Sequence, residues 1–390
     1  MSNIIDLEKK YHFQTYNRFP LIITNGKGAR VWDIDGNEYL DFLSGIAVNC
    51  LGHCHPKIIN EINLQANKLI HTSNFFYTES QSKLAEKLSI LSGLDRVLFS
   101  NSGAEAMEGA IKLARKYAND KGKLGKIYSM KNAFHGRTLA TISLGKEVYK
   151  KGFEPIPEGF ATIPIHNYGA LEKIKNDAIA IVIEPIQGEG GVRLAHQKYL
   201  HFLREFCSNN DILLIFDEVQ SGIARTGKMF SYQHYGIKPD ILTLAKGLGS
   251  GIPIGALLAN NNVALSFGHG SHGSTFGGNP FATAIALKTL EIIEEKNIID
   301  NVLKMGAYLM SELQANIGSD QRLVEIRGMG LFIGVEFDFE CRKLVEIMLE
   351  KRVITNCTGG NTIRIVPPLI INKNDVDEYI SVFKKALLEL

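Results

Sequence analysis

Ile212-Leu213-Leu214-Ile215-Phe216-Asp217-Glu218-Val219-Gln220 and Ile241-Leu242-Thr243-Leu244-Ala245-Lys246-Gly247-Leu248-Gly249 are the two stretches whose reading decides this chain. Each is an apolar run of strand length that ends in an ionisable residue, Asp217 in the first and, 29 residues later, Lys246 in the second. A carboxylate can keep the nitrogen of a pyridine ring protonated, and a lysine amine can condense with an aldehyde on the same ring. The pair therefore puts pyridoxal 5'-phosphate forward as the cofactor to test against the rest of the sequence.

Working outward, further apolar runs at 97–99, 127–130, 179–183 and 256–259 alternate with helical patterns. Such alternation implies βαβ units, hence an α/β fold whose sheet is mostly parallel and covered by helices on both faces. Nearer the start, 29–32 and 38–43 flank Asp35-Gly36, a dipeptide that favours the tight turn of a β-hairpin. Beyond Gly277-Gly278-Asn279-Pro280 the pattern changes to a helix over 282–295, another helix, strands over 330–336 and 362–366, and a last helix. In that helix Val376, Ile380, Phe383 and Leu387 form one apolar stripe, the mark of a packing element. No repeat, low-complexity run or polar linker divides the chain, so any second domain must share a continuous scaffold with the first.

With 390 residues, 45% of them hydrophobic and 22% charged, the chain can bury a large core, and two closely associated domains are expected. The formal charge of +2 and the lack of like-charge blocks argue against nucleic acid and for a small-molecule partner. Asp6, Glu8, Lys9 and Lys10 interrupt the N-terminus where a signal peptide would be apolar, and no run is long enough to span a bilayer, so the expected address is cytoplasmic. The five cysteines, Cys50, Cys54, Cys207, Cys341 and Cys357, are an odd set that suits a reducing compartment better than a disulfide framework. Cys50, His53, Cys54 and His55 lie close together, but their spacing is wrong for a zinc knuckle and no second ligand pair follows, so no metal is expected.

Ser100-Asn101-Ser102-Gly103-Ala104-Glu105 joins a strand to a helical pattern. Ser102 and Glu105 have capping-box spacing, and Gly103 allows close approach of a ligand to the backbone. The exposed N–H groups and positive end of that helix would seat a phosphate, although a bare helix cap reads the same way. Gly247-Leu248-Gly249-Ser250-Gly251 fails both nucleotide patterns, because Ile252 stands where GxGxxG needs glycine and Lys246-Gly247 lacks the P-loop order. A flexible turn that lets Lys246 enter a crowded site and swing out is the expected role of these glycines.

Taken together, these segments resemble the class III (subgroup II) aminotransferases of the fold type I pyridoxal-phosphate enzymes. The likeness extends over nearly the whole chain: Gly45-Ile46-Ala47-Val48-Asn49, Asn132-Ala133-Phe134-His135-Gly136-Arg137-Thr138, Glu184-Pro185-Ile186-Gln187-Gly188-Glu189-Gly190-Gly191, the Asp217 and Lys246 stretches, Gly273-Ser274-Thr275-Phe276-Gly277-Gly278-Asn279-Pro280, and Thr362-Ile363-Arg364. The resemblance implies a large domain (46–280) with a mostly parallel seven-stranded sheet, and a smaller α+β domain built from both termini (1–45 and 281–390).

It further implies that Lys246 anchors the cofactor and then moves the proton at the substrate carbon, and that Asp217 pairs with the pyridine nitrogen. Phe134 and Val219 would hold the two ring faces, Gln220 the phenolic oxygen, and Ser102, Gly103, Ala104 and Thr275 the phosphate. Thr275 would reach over from a second subunit, making the protein a homodimer with shared active sites.

For the substrate, Arg137 and Arg364 resemble the two carboxylate-binding arginines, Glu189 the switch that pairs with the second of them, and Ser274 a contact of an acyl group. Guanidinium suits such work because it is a planar two-pronged donor. Ornithine-type members carry a tyrosine just before Ala-Val-Asn, whereas Ser44-Gly45-Ile46 has none, which favours an N-acylated donor. Met107 stands where relatives commonly have Asn. The expected reaction is transfer of the δ-amino group of N-acetylated ornithine to 2-oxoglutarate. Succinylated ornithine or diaminopimelate, free ornithine and 4-aminobutyrate are the alternative donors, and a non-catalytic binding protein on the same fold is the rival from another class.

Overall fold

A computed structural model of the chain describes residues 2–390. The first strands, β1 (Ile23–Lys27), β2 (Arg30–Asp33) and β3 (Glu38–Asp41), form an antiparallel meander. Its second turn is the expected Asp35-Gly36: Gly36 has φ 81°, and the Asp33 carboxylate accepts from the main-chain N–H of Asp35 (3.0 Å) and Asn37 (2.8 Å).

Four strands follow, β4 (Arg96–Ser100), β5 (Lys126–Met130), β6 (Phe160–Ile163) and β7 (Ala178–Ile183). After the short ribbon of β8 (Ile186–Gln187) and β9 (Arg193–Leu194) come β10 (Leu213–Asp217), β11 (Ile241–Leu244) and β12 (Gly255–Ala259). The central sheet has seven strands in the order β4-β12-β11-β10-β7-β5-β6, and β12 alone runs antiparallel to its neighbours. In β7, β10, β11 and β12 every residue is buried, as a sheet covered on both faces requires. Leu213 and Ile215 of β10 point to the side carrying Met107, Ile111 and Ala114 of helix Gly103–Asp120. Leu214 and Phe216 point to the other side, where Leu203 and Phe206 of helix Gln197–Asn209 pack.

The C-terminal part adds β13 (Leu323–Met329), β14 (Phe332–Phe337), β15 (Val353–Ile354), β16 (Asn356–Thr358) and β17 (Thr362–Ile365). Four of these make an antiparallel sheet, β13-β14-β17-β16, while β15 lies parallel to β3, so the two ends of the chain meet in one sheet. Helix Lys373–Leu388 buries the expected stripe of Val376, Ile380, Phe383 and Leu387, together with Tyr379, whose ring stacks on Phe42 at 4.3 Å. Each such side chain removed from water contributes about 1.5–3 kcal/mol.

The loop after β10 seats the C-terminal sheet on the central one through Arg225 and Thr226, and a helix of the C-terminal part packs closely on the same turn. Arg225, in the loop after β10, is fully buried and donates from Nη1 to the carbonyls of Leu331 (3.0 Å) and Pro367 (2.6 Å). Gly306 of helix Ile298–Ile317 meets Gly330 so closely that a Cβ there would lie 2.4 Å from the Gly330 carbonyl oxygen. Gly330 itself has φ +57° and sits against Thr226.

Three expectations need correcting. Ser102 caps its helix as foreseen, accepting from Glu105 N–H at 3.2 Å, but the Glu105 carboxylate turns to Asn101 instead of Ser102, so the capping box is only half formed. The glycines after Lys246 do not make a loose turn: Gly247 is buried, and a Cβ on Gly249 would fall 1.9 Å from the Ile252 carbonyl oxygen. They are there for close packing. Finally, β6 was not foreseen, because Phe160-Ala161-Thr162-Ile163 is a short, partly exposed edge strand. Among the described residues no helix is long and apolar enough to cross a membrane. Cys50 donates to the Gly247 carbonyl at 3.1 Å and His53 pairs with Asp41 at 2.8 Å, so this cluster serves packing between neighbouring segments.

Candidate active site

The apolar runs that build β10 and β11 deliver Asp217 and Lys246 to the same end of the sheet, and both line a cavity of about 440 Å³. Asp217 is the last residue of β10 and is buried. Its Oδ2 accepts from His135 Nδ1 at 2.7 Å, and its Oδ1 accepts from Val219 N–H at 3.0 Å, with the Thr243 hydroxyl at 3.4 Å. His135 is likewise buried, and its Nε2 has no partner among the described residues. Burial by itself would lower the His135 pKa, but the hydrogen bond and charge of Asp217 outweigh it and, with Glu184 nearby, leave it raised. The carboxylate thus carries its own conjugate donor on one side and keeps its remaining acceptor capacity for a cation or N–H in the cavity.

Lys246 follows β11 in a tight turn with its backbone in the left-handed region, φ 44°. A left-handed lysine is held only where surrounding structure enforces it, and such strain collects at functional sites. Burial lowers the amine to about 8; Arg364 pushes the same way, and the carboxylates Glu189, Asp217 and Glu184 oppose. A lysine near 8 is neutral often enough near neutral pH to act as nucleophile and proton carrier.

The same cavity is lined by Ser102, Gly103 and Ala104. Gly103 and Ala104 open helix Gly103–Asp120, so their N–H groups have no intrahelical acceptor and offer an anion seat at the positive end of the helix. A Cβ on Gly103 would stand 2.7 Å from Val219 Cγ1, so only glycine lets Val219 come this close.

Phe134 lines the cavity too, and its N–H donates to Glu184 at 3.1 Å. Burial pushes the Glu184 carboxyl up to about 7, with His135 opposing. Gly136, φ 136°, brings this loop against the helix start, since a Cβ there would lie 2.9 Å from that of Ala104.

Glu189 lines the cavity and pairs with Arg364 of β17, which is 1% exposed and lies behind it. Arg364 also donates to Gln220 Oε1 and to Asn356 Oδ1, both at 3.2 Å. Gly188 is what makes room for Gln220, as a Cβ would fall 2.3 Å from its Oε1. Burial would raise the Glu189 pKa, yet Arg364 prevails and lowers it. Arg137 lines the cavity with no ion pair or hydrogen bond among the described residues, its Cζ lying 3.9 Å from the centroid of the Tyr149 ring.

Val48 reaches the cavity from a run of four left-handed residues, Ser44 to Ala47 (φ 48–65°). For the non-glycine members this costs roughly 1–2 kcal/mol each. Asp41 Oδ1, accepting from Leu43 and Ser44 N–H at 2.9 and 2.8 Å, and the Ser44 hydroxyl, donating to Val366 O at 2.6 Å, hold the run in place.

The fold thus brings together Lys246, Asp217, Ser102, Gly103, Ala104, Phe134, Val219, Gln220, Arg137 and Glu189 around one cavity, with Arg364 behind Glu189. Ser274 and Thr275 stand elsewhere in the chain, in a cleft of about 940 Å³ with Phe75 and Phe99. The Ser274 hydroxyl accepts from Asn101, which does line the Lys246 cavity. Sequence reasoning assigned nothing to His135, Glu184 or Tyr149. The signal for His135 was its place inside the Phe134–Arg137 motif, and for Glu184 a carboxylate directly after the fully apolar β7.

Comparison with known proteins shows the family. Residues 11–387 match the family described as aminotransferase class-III. The acetylornithine aminotransferase of Methanocaldococcus jannaschii is 50% identical over 392 residues, covering 100% of this chain and 98% of the relative. Among solved structures, ornithine aminotransferase from Toxoplasma gondii ME49 superposes with a TM-score of 0.95 at 35% identity, covering 100% of this chain and 95% of the other. Acetylornithine aminotransferase from Elizabethkingia anophelis gives 0.90 at 36% identity, covering 100% and 99%. Matched to the family over residues 11–387 and aligned end to end with enzymes of this kind, the chain belongs to the class III aminotransferase family.

Proposed function

We propose that the chain is a ping-pong transaminase that takes the δ-amino group of N2-acetyl-L-ornithine and gives it to 2-oxoglutarate, with pyridoxal 5'-phosphate as cofactor. The products are N-acetyl-L-glutamate 5-semialdehyde and L-glutamate, a step of arginine biosynthesis. The observation that carries the reading is the convergence, in one cavity, of a His135-backed carboxylate, a depressed-pKa lysine and a helix N-terminus. That donor set fits the cofactor, which needs an anion for its ring nitrogen, an amine for its aldehyde and N–H groups for its phosphate. When bound, the cofactor draws electrons away from the amine-bearing carbon.

In this reading Asp217 holds the ring N–H and His135 holds Asp217. Lys246 anchors the cofactor through Nζ and then carries a proton to and from the substrate carbon. Phe134 and Val219 fix the plane of the ring, which keeps the bond to be broken aligned with it. Gln220 faces the phenolic oxygen, and Ser102, Gly103 and Ala104 take the phosphate. Arg137 receives the α-carboxylate of the donor. Arg364 stays paired with Glu189 while the donor's uncharged chain end is bound, and turns to the second carboxylate when 2-oxoglutarate enters.

Thr275 and Ser274 are assigned to the site of a second copy of the chain, Thr275 toward the phosphate and Ser274 toward the acyl group. That makes the active form a homodimer. The exposed Phe75, Phe76, Tyr77 and Phe276 around that loop support a covered surface there. Residues 46–280 form the cofactor-binding domain, and 1–45 with 281–390 the smaller one.

The test is spectroscopic. Purified protein loaded with cofactor should be yellow, and N2-acetylornithine should bleach the visible band, with 2-oxoglutarate restoring it; Lys246→Ala should abolish turnover. A panel of ornithine, succinylated diamines and 4-aminobutyrate ranks the donors. Faster turnover of another donor would replace the acetylated substrate, and protein that cannot be loaded would overturn the enzyme reading.

A further inference from the structure

Arg137 is an unusual cation, lining the cavity with neither a carboxylate nor a hydrogen-bond acceptor among the described residues. What it touches is aromatic: its guanidinium carbon lies 3.9 Å from the Tyr149 centroid and 5.2 Å from that of Phe134. The two rings meet edge to face, centroids 5.7 Å apart with planes at 89°. A guanidinium resting on a ring is held by the attraction of cation for π-face, while its in-plane N–H fork stays available for a planar partner.

Tyr149 is itself well seated. It ends a 3-10 turn, Glu147–Tyr149, closed by its N–H donating to Lys146 O at 3.0 Å. Its ring packs over Gly145, where a Cβ would lie 3.3 Å from Tyr149 Cδ2. Lys146 Nζ donates to the Glu189 carbonyl at 2.9 Å, which ties this turn to the segment that holds Arg364. Burial raises the Tyr149 phenol, with Arg137 opposing, so it stays neutral at working pH and its bond to Arg137 is cation–π.

We infer that Tyr149 is a positioning residue for carboxylate recognition: it holds the Arg137 guanidinium flat so that the N–H fork meets the carboxylate of the amine donor and of the dicarboxylate acceptor. The inference deepens the proposed function and rests on its assignment of Arg137. It also names a determinant of substrate class, since an amine without a carboxylate gains nothing from Tyr149.

The test uses cofactor-loaded protein and glutarate, a dicarboxylate that cannot react. Its Kd, read by calorimetry, should rise about 5- to 10-fold in Tyr149→Leu and stay within about twofold in Tyr149→Phe, which keeps the ring face. In an Arg137→Ala background Tyr149→Leu should add nothing, because one residue acts through the other. Bleaching of the visible band by an acylated diamine lacking a carboxylate should be equally fast in the unaltered protein and in Tyr149→Leu. Unchanged glutarate affinity in Tyr149→Leu, an equal loss in the Arg137→Ala background, or no glutarate binding to the unaltered protein would each overturn the inference. Glutarate binding that follows the expected pattern without transfer from acetylornithine would leave it standing and remove only the proposed donor.

Discussion

Replacing Glu189 by glutamine separates the two substrates of the proposed reaction. Arg364 is almost wholly buried, and its charge is balanced by Glu189, with Gln220 and Asn356 as neutral partners at 3.2 Å. At contact distance and an effective dielectric of about 20, two unit charges attract by about 5 kcal/mol. Glu189 is 28% exposed, and glutamine would still offer an oxygen, so we discount this to about 2 kcal/mol. An incoming carboxylate no longer has to displace that attraction. Glutarate should therefore bind about 30-fold more tightly to Glu189→Gln, whereas pentanoate, whose single carboxylate goes to Arg137, should change little. Calorimetric titration of both ligands into cofactor-loaded protein reads the difference. Glutarate binding that weakens or stays the same, or pentanoate binding that tightens equally, would refute the idea that Glu189 competes for Arg364.

Two further outcomes concern stability. Glu218 is buried with its oxygens accepting from Ser231 and Tyr232 N–H at 2.6 and 2.7 Å, and burial nevertheless pushes it up to about 8. A carboxyl raised above its unfolded value stabilises the fold at low pH and loses that contribution as pH rises from about 4.5 through about 8. Chemical denaturation between pH 5 and 8 should show a steeper fall in the unaltered protein than in Glu218→Gln, and parallel curves would refute the assignment. Gly306→Ala should lower stability by about 2 kcal/mol or more, because its Cβ would meet the Gly330 backbone at 2.4 Å and neither chain can give way; an unchanged melting temperature would show that the contact is looser than described.

Much of this was legible in the sequence because the central strands are buried on both faces and so read as unbroken apolar runs, from Val97 to Ala259. Asp217 and Lys246 stood out for the same reason, as charges at the ends of such runs. What did not show is what depends on direction and on long-range meetings. The apolar run of β12 looks the same whether it runs parallel or antiparallel, and only the short path from β11 reverses it. His135 and Asp217 are 82 residues apart and meet only when β5 and β10 stand in one sheet. Tyr149 lies in a turn of ordinary composition, and its ring acquires a purpose only when Arg137 lands on it. The half-formed capping box is a milder case, since Glu105 finds a better donor in Asn101 than in Ser102.

Arg137 hangs from the loop after β5 in the central sheet, while Arg364 is built into β17 of the C-terminal one. The gap between these two cations is therefore no local property of the cavity. It is set by how one sheet settles on the other, through Arg225 and the close approach of Gly330 to Thr226. A molecule gripped at both ends is measured as if between the jaws of a calliper whose hinge lies outside the pocket. Tolerance for one methylene more or less would then be inherited from Gly330 and Arg225, which do not line the cavity, and a new length preference would need no change in Lys246 or Asp217.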